Sequence, residues 1–256
     1  MDSRLRMYLA ELLGTYLVVV LGAGALCSSY LPAADSRYYS VGGVTLAVAL
    51  ADGLALAVVV SATCAVSPGC CNPAITLSLF VNRRLELART LLLVGVQLLG
   101  SFLAGLTLRG LYSADLLVDA RMGAPHLRGL LGPGDEVTLG GLAAGVGVEF
   151  LLAAFLAVAA YATLLDRPPQ ERPRPGLPAL GLGLAKVVVV LFGFHLTGGA
   201  ANPARWFGPA VWELSLAMPG VRRPLGDHPV YWVGPVFGAL AGTVAYGVLL
   251  GRTARE

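Results

Sequence analysis

Long apolar runs alternate with short polar stretches along the whole chain, at about 7–27, 41–63, 88–108, 139–165, 180–196 and 230–250. An α-helix of about 20 apolar residues crosses the ~30 Å of hydrocarbon in a bilayer. The pattern therefore predicts six transmembrane helices. Two further apolar runs are too short to cross. One follows Asn72-Pro73-Ala74 and ends near residue 81; the other follows Asn202-Pro203-Ala204 and ends near residue 214. Asn is a strong helix N-cap, and Pro suits the first helical position, where a missing N–H costs nothing. Each short run is predicted to be a re-entrant half-helix. The non-helical backbone before it is tolerable only where it is packed in protein or lines a cavity. The predicted fold class is an all-α membrane protein of six spans and two half-helices.

Composition narrows this further. The 256 residues are 56% hydrophobic and 13% charged, with mean hydropathy +0.74; a soluble domain carries about 25% charged residues. One membrane bundle over 1–256 is expected, not two soluble domains. The first run is too long for the apolar core of a signal peptide and reads as a span. The net charge of +3 gives no sign of nucleic acid as a partner. Cys27, Cys64, Cys70 and Cys71 have no metal-ligand spacing and read as small packing residues. No nucleophile–base set, metal cluster or cofactor motif is visible. An intramembrane enzyme or a coupled transporter is therefore not the expected class.

The two halves repeat. Glu11 corresponds to Glu149, Asn72 to Asn202, and the run 97–105 to 234–242, at offsets of 138, 130 and 137 residues. Repeats of about 1–110 and 138–256, joined by a loop over 111–137, each hold three spans. An odd number inverts the second half, which puts a shared site near the bilayer midplane. Ten arginines, from Arg4 to Arg255, fall on the side of the termini and five on the other. The positive-inside rule then places both termini in the cytoplasm, with the plasma or inner membrane as the expected location.

The residues 10–15 (Ala-Glu-Leu-Leu-Gly-Thr), 71–77 (Cys-Asn-Pro-Ala-Ile-Thr-Leu), 201–205 (Ala-Asn-Pro-Ala-Arg), 207–211 (Phe-Gly-Pro-Ala-Val) and 231–235 (Tyr-Trp-Val-Gly-Pro) resemble the motifs of the aquaporin family, the major intrinsic proteins, over essentially the whole chain. The resemblance implies a pore through each subunit, water and small neutral solutes as cargo, and a homotetramer in the lipid bilayer.

It also sorts the candidate residues. Asn72, Pro73, Ala74, Asn202, Pro203 and Ala204 form the pore motifs. The Asn amides donate to a passing oxygen, and two positive helix ends repel cations. The carbonyls around Gly69, Cys70 and Cys71 and around Gly198 to Ala200 offer acceptors along the path. Glu11 and Glu149 brace the re-entrant backbones. The selectivity filter falls on Asp52, Val190, Gly199 and Arg205. Val190 and Gly199 are small, which favours a wide constriction. A carboxylate at 52 departs from the family pattern and is placed to pair with Arg205. Lys186, one helical turn before Val190, is expected to share its face and line the pore. The expected function is a passive channel for water and small uncharged solutes. The alternative is a channel of the same fold whose selectivity Asp52 and Lys186 alter towards glycerol, urea, ammonia or ion leak.

Overall fold

The structure, a computed structural model, describes residues 2–31, 41–67, 71–132, 136–166, 176–216 and 225–250. Among the described residues, six helices are long and apolar enough to cross a membrane: α1 (Ser3–Ser28), α2 (Val41–Thr63), α4 (Leu87–Leu111), α6 (Leu139–Ala160), α7 (Gly176–Gly193) and α9 (His228–Leu249). Mean hydropathy over their best windows runs from 1.5 to 2.2. Two short helices, α3 (Pro73–Val81) and α8 (Pro203–Glu213), begin where the Asn-Pro pairs place them. No strand occurs among the described residues. The outward faces carry exposed Leu, Val and Phe on every long helix, such as Leu13, Val58, Leu99, Leu151, Phe192 and Phe237, as lipid contact requires.

Boundaries differ from the expected spans for local reasons. α7 starts at Gly176 and takes Pro178 into its first turn, where proline removes no helical hydrogen bond. α6 ends in a π-turn over Tyr161–Leu165, not in a continuous α-helix.

Small residues let the helices approach. Lipid tails give no hydrophobic drive between helices, so close van der Waals packing must hold them. Gly100 lies on the backbone of Leu12 between α1 and α4, and Gly238 lies on the backbone of Phe150 between α6 and α9. Both partners are offset by 138 residues, one more than matching the runs 97–105 and 234–242 gives. Between α2 and α7, a Cβ on Gly183 would meet the Gly53 carbonyl oxygen at 2.5 Å and Ala57 at 2.6 Å. This crossing sets Asp52 beside Lys186. Between α4 and α8, Gly208 abuts Ser101, whose hydroxyl accepts from the Gly208 N–H at 2.8 Å and donates to the Ala204 carbonyl.

The 111–137 connection is not the simple polar loop expected of its many charges. It forms α5 (Ala114–Asp119) and a 3-10 turn, and it packs into the bundle: Leu117, Met122, Ala124, His126 and Leu127 are all buried. Buried loop backbone must find hydrogen-bond partners. Arg128 N–H donates to Leu196 O at 3.0 Å and Gly129 N–H to His195 O at 2.8 Å. Leu127 N–H donates to Asp227 at 2.9 Å.

His126 is the centre of this clamp. Its Nδ1 lies 3.1 Å from Asp227 Oδ2 at the head of α9, and its Nε2 lies 2.7 Å from Glu213 at the end of α8. Arg121 donates to the other Glu213 oxygen at 2.8 Å. Burial alone would lower the imidazole pKa, but the hydrogen bonds and charges of Asp227 and Glu213 outweigh it and raise it above the ordinary 6.5.

Gly208→Val forces a side chain onto the Ser101 carbonyl and should destabilise the protein by about 1–3 kcal/mol or more. Gly95→Ala, with nothing within 4 Å of its Cβ, should be neutral or stabilising by up to about 1 kcal/mol. Melting of the two proteins in detergent compares them directly. His126 has its folded pKa raised, so its stabilisation is complete below about 6.5 and is lost as pH rises through the folded value. The apparent Tm should fall over that alkaline interval, and His126→Ala should flatten the slope. That variant leaves two buried carboxylates without their shared imidazolium, a loss of about 3–5 kcal/mol at low pH. Equal slopes in wild type and variant would contradict the charged clamp.

Candidate functional site at the meeting of the half-helices

The two half-helices meet head to head at their capped ends. Asn72 Oδ1 accepts from Ala74 N–H at 3.0 Å, and Asn202 Oδ1 accepts from Ala204 N–H at 2.9 Å. The amide nitrogens cross over. Asn72 Nδ2 donates to the carbonyl of Ala201, and Asn202 Nδ2 donates to the carbonyl of Cys71, both at 2.9 Å. Each Asn therefore caps its own helix and ties the opposite one. Pro73 and Pro203 occupy first-turn positions, and Ala74 and Ala204 are fully buried between neighbours.

The residue before each Asn adopts a left-handed backbone: Cys71 has φ 44° and Ala201 has φ 47°. For a residue with a Cβ this conformation is strained. Two buried carboxylates hold it in place. Glu11 accepts from Cys71 N–H at 2.9 Å and from Gln97 Nε2 at 2.9 Å, and Gln97 reaches on to Thr76. Glu149 accepts from Ala201 N–H at 2.6 Å, Ala200 N–H at 3.0 Å and the Thr197 hydroxyl at 2.6 Å. Tyr231 donates to the Thr197 carbonyl at 2.7 Å. Its ring stacks on Trp206 with centroids 5.5 Å apart.

Arg205, Asp52 and Lys186 form one buried charge cluster. Arg205 Nε lies 3.1 and 3.2 Å from the two Asp52 oxygens, and its Nη1 donates to the Gly123 carbonyl at 2.9 Å. The Asp52 carboxylate rests on Gly22 of α1, where a Cβ would collide with it. Lys186 Nζ lies 3.7 Å from Asp52 and donates to the carbonyls of Gly199 at 2.9 Å and Ala200 at 2.7 Å. All three side chains are at most 4% exposed. Buried charges persist only when paired and hydrogen-bonded, and this set satisfies that condition.

A narrow cavity runs past these groups. Asn72, Asn202, Lys186 and Arg205 supply its polar lining, and Leu56 and Leu182 are among its apolar residues. The space open to water centres is about 10 Å³, on the order of one water.

Several sequence-based expectations are placed differently. Val190 is buried in an apolar cluster with Val187, Phe194 and Leu26, and is not among the cavity-lining residues. Gly198 and Gly199 have φ of 86° and 65°, and a Cβ on Gly199 would meet Val189 O at 2.8 Å and Val190 Cα at 3.0 Å. The missing side chain there is space that α7 fills, so small residues at 190 and 199 do not translate into a wide aperture. The Gly199 and Ala200 carbonyls, expected as acceptors for cargo, are taken by Lys186. The Cys71 side chain packs against Gly14, whose Cβ would lie 2.6 Å from the sulfur. Gly69 and Cys70 lie outside the described residues. Gly123, Glu213, Asp227 and His126 also contribute, and no sequence motif marks them. Their partners lie 82 to 101 residues away, and the only local signal was an unusual density of charges in a loop flanked by spans.

Comparison with known proteins places this geometry. The sequence model of the "Major intrinsic protein" family matches residues 2–246. "Aquaporin TIP4-4" of Zea mays is 40% identical over 256 residues, covering 98% of this chain and 89% of that protein. "Aquaporin-2" of Homo sapiens is 30% identical over 247 residues, covering 96% and 79%. Among solved structures, "X-ray structure of the aquaglyceroporin from Plasmodium falciparum" superposes with TM-score 0.71 at 18% identity, covering 96% of this chain and 97% of that one. With its two Asn-capped half-helices set among six apolar spans, the chain belongs to the major intrinsic protein family and is an integral membrane protein of the aquaporin type, a passive channel and not an enzyme.

Proposed function

We propose that this protein is a passive channel for water and small uncharged solutes, conducted past Asn72 and Asn202. The observation that carries the reading is that both amides line one cavity while their oxygens are occupied in capping. An amide nitrogen has two hydrogens. One of each pair is spent on the opposite half-helix, and the second serves a passing oxygen. A water that accepts from both amides turns its own hydrogens outward and cannot relay a proton along the file. The two helix N-termini add positive potential at the same point, which excludes cations. Relatives named as aquaporins and an aquaglyceroporin support water and glycerol as the cargo to test.

The remaining parts of the reading have their own supports. The matching offsets support inverted repeats over about 1–110 and 138–256, with 111–137 joining them. The arginine distribution supports cytoplasmic termini and a plasma or inner membrane location. The family supports a homotetramer. Glu11 and Glu149 act as braces of strained backbone, with no part in proton chemistry. The family resemblance puts the filter positions at Asp52, Val190, Gly199 and Arg205, and of these Arg205 lines the cavity. A second reading, altered selectivity, is favoured by one specific observation: two cations, Lys186 and Arg205, line the cavity, and both pair with the buried carboxylate of Asp52.

Stopped-flow swelling of proteoliposomes tests the first reading, with an osmotic rate above that of bare lipid as the expected result. Asn72→Ala and Asn202→Ala each remove a cap and a cross-tie. Each should cut that rate several-fold or admit protons, read with a trapped pH dye. Wild-type behaviour of both variants in both assays would take these amides out of the path.

A further inference from the structure

Positions 56 and 186 each lie 16 residues before a motif Asn and both line the cavity. One is Leu and the other Lys, so the two halves do not present the same chemistry. In the second half, the Lys186 ammonium donates to Gly199 O and Ala200 O and faces Asp52 at 3.7 Å. A lysine has three donors and no acceptor, and an arginine likewise only donates. The Asn202 oxygen is held by Ala204 N–H, and the Ala201 carbonyl by Asn72. The Asp52 carboxylate is taken by Arg205. On the second half's side, the carbonyls of Gly199, Ala200 and Ala201 and the Asn202 oxygen therefore each already have a strong internal donor.

We infer that Lys186 is a specificity-determining residue, which withdraws the carbonyls of Gly199 and Ala200 from the path and so disfavours polyols relative to water. This rests on the channel reading above. Water in single file can donate to the next water. A polyol carries its hydroxyls on a carbon chain, and in a narrow passage each hydroxyl must donate to the wall. A wall of donors leaves those hydroxyls unsatisfied, and an unmade hydrogen bond in a confined site is costly. The ammonium is fixed here because α2 and α7 cross closely at Gly53 and Gly183, which holds Asp52 and Lys186 side by side.

Lys186→Met tests the chemistry with little change of side-chain volume. Osmotic water permeability and glycerol permeability are measured by stopped flow on the same proteoliposomes. The expected result is a ratio of glycerol to water permeability raised on the order of tenfold, with water still conducted. Water conduction by the variant shows that it is folded, a readout that loss of a merely structural brace would lower. Lys186→Arg retains a donor-only head and should keep the wild-type ratio. Lys186→Gln adds an acceptor and should raise the ratio, and it carries the test if Lys186→Met fails to assemble. An unchanged ratio in both the Met and Gln variants overturns the inference while leaving the channel reading intact. A wild type that passes no water beside a Lys186→Met variant that does would make the ammonium a plug and overturn selectivity. No permeability above lipid in any protein would overturn the channel reading and this inference with it.

Discussion

Two helix N-termini facing each other inside a bilayer set the problem that the rest of the molecule solves. Each carries N–H groups without intrahelical partners and a positive dipole end, and there is no bulk water to receive them. The solution is reciprocal. Each Asn oxygen caps its own helix, and each Asn nitrogen takes the carbonyl that the turn before the other helix exposes. That exchange works only if Cys71 and Ala201 hold their carbonyls in a left-handed bend. The bend needs a carboxylate on its N–H groups, and the carboxylates come from Glu11 on α1 and Glu149 on α6. The close packing of α1 on α4 and α6 on α9 through Gly100 and Gly238 fixes where those carboxylates stand. A buried charge that is otherwise expensive thus becomes the anchor of a strained turn.

The same demand for partners explains why the connection over 111–137 is folded inward. Arg205 sits in the first turn of α8 with a planar guanidinium that requires several acceptors. Asp52 meets its Nε, and the Gly123 carbonyl meets Nη1. Gly123 belongs to the inward-folded segment, and His126 three residues on is pinned between Glu213 and Asp227. The cluster at the half-helices and the clamp on the loop are therefore joined through one short stretch of chain. Displacing the loop would strip Arg205 of an acceptor while leaving its charge buried.

The fold was largely legible in the sequence because its signals are local. Apolar runs of spanning length give six helices, and an Asn-Pro pair before a short run gives a capped half-helix. The Glu residues and the Asp52–Arg205 pairing were legible too, because a charge in an apolar run must find a partner. What the sequence did not reveal depended on direction and distance. Helical spacing puts Lys186 and Val190 on one face, yet of the two only Lys186 lines the cavity, while Val190 is enclosed in an apolar cluster. Small residues at 190 and 199 suggested open space, but a glycine can equally mark where another backbone comes close, as α7 does at Gly199. His126 has no local signal of its role because its partners lie 87 and 101 positions away.

Lys186, with the Asp52–Arg205 pair it joins, separates two halves that share their caps and braces. The caps, cross-ties, left-handed turns and carboxylate braces occur in both halves, so none of them distinguishes one side of the cavity from the other. An ammonium at 186 opposite a leucine at 56 does. Its charge is tolerated because Asp52 and two carbonyls surround it, and Asp52 is available because it already stands against Gly22 to meet Arg205. Removing Asp52 alone would leave two buried cations facing each other. Removing Lys186 alone leaves a complete Asp52–Arg205 pair and two carbonyls that regain their acceptor capacity. The lysine is therefore the member of the cluster whose chemistry can vary without dismantling the site, which is the property a selectivity element needs.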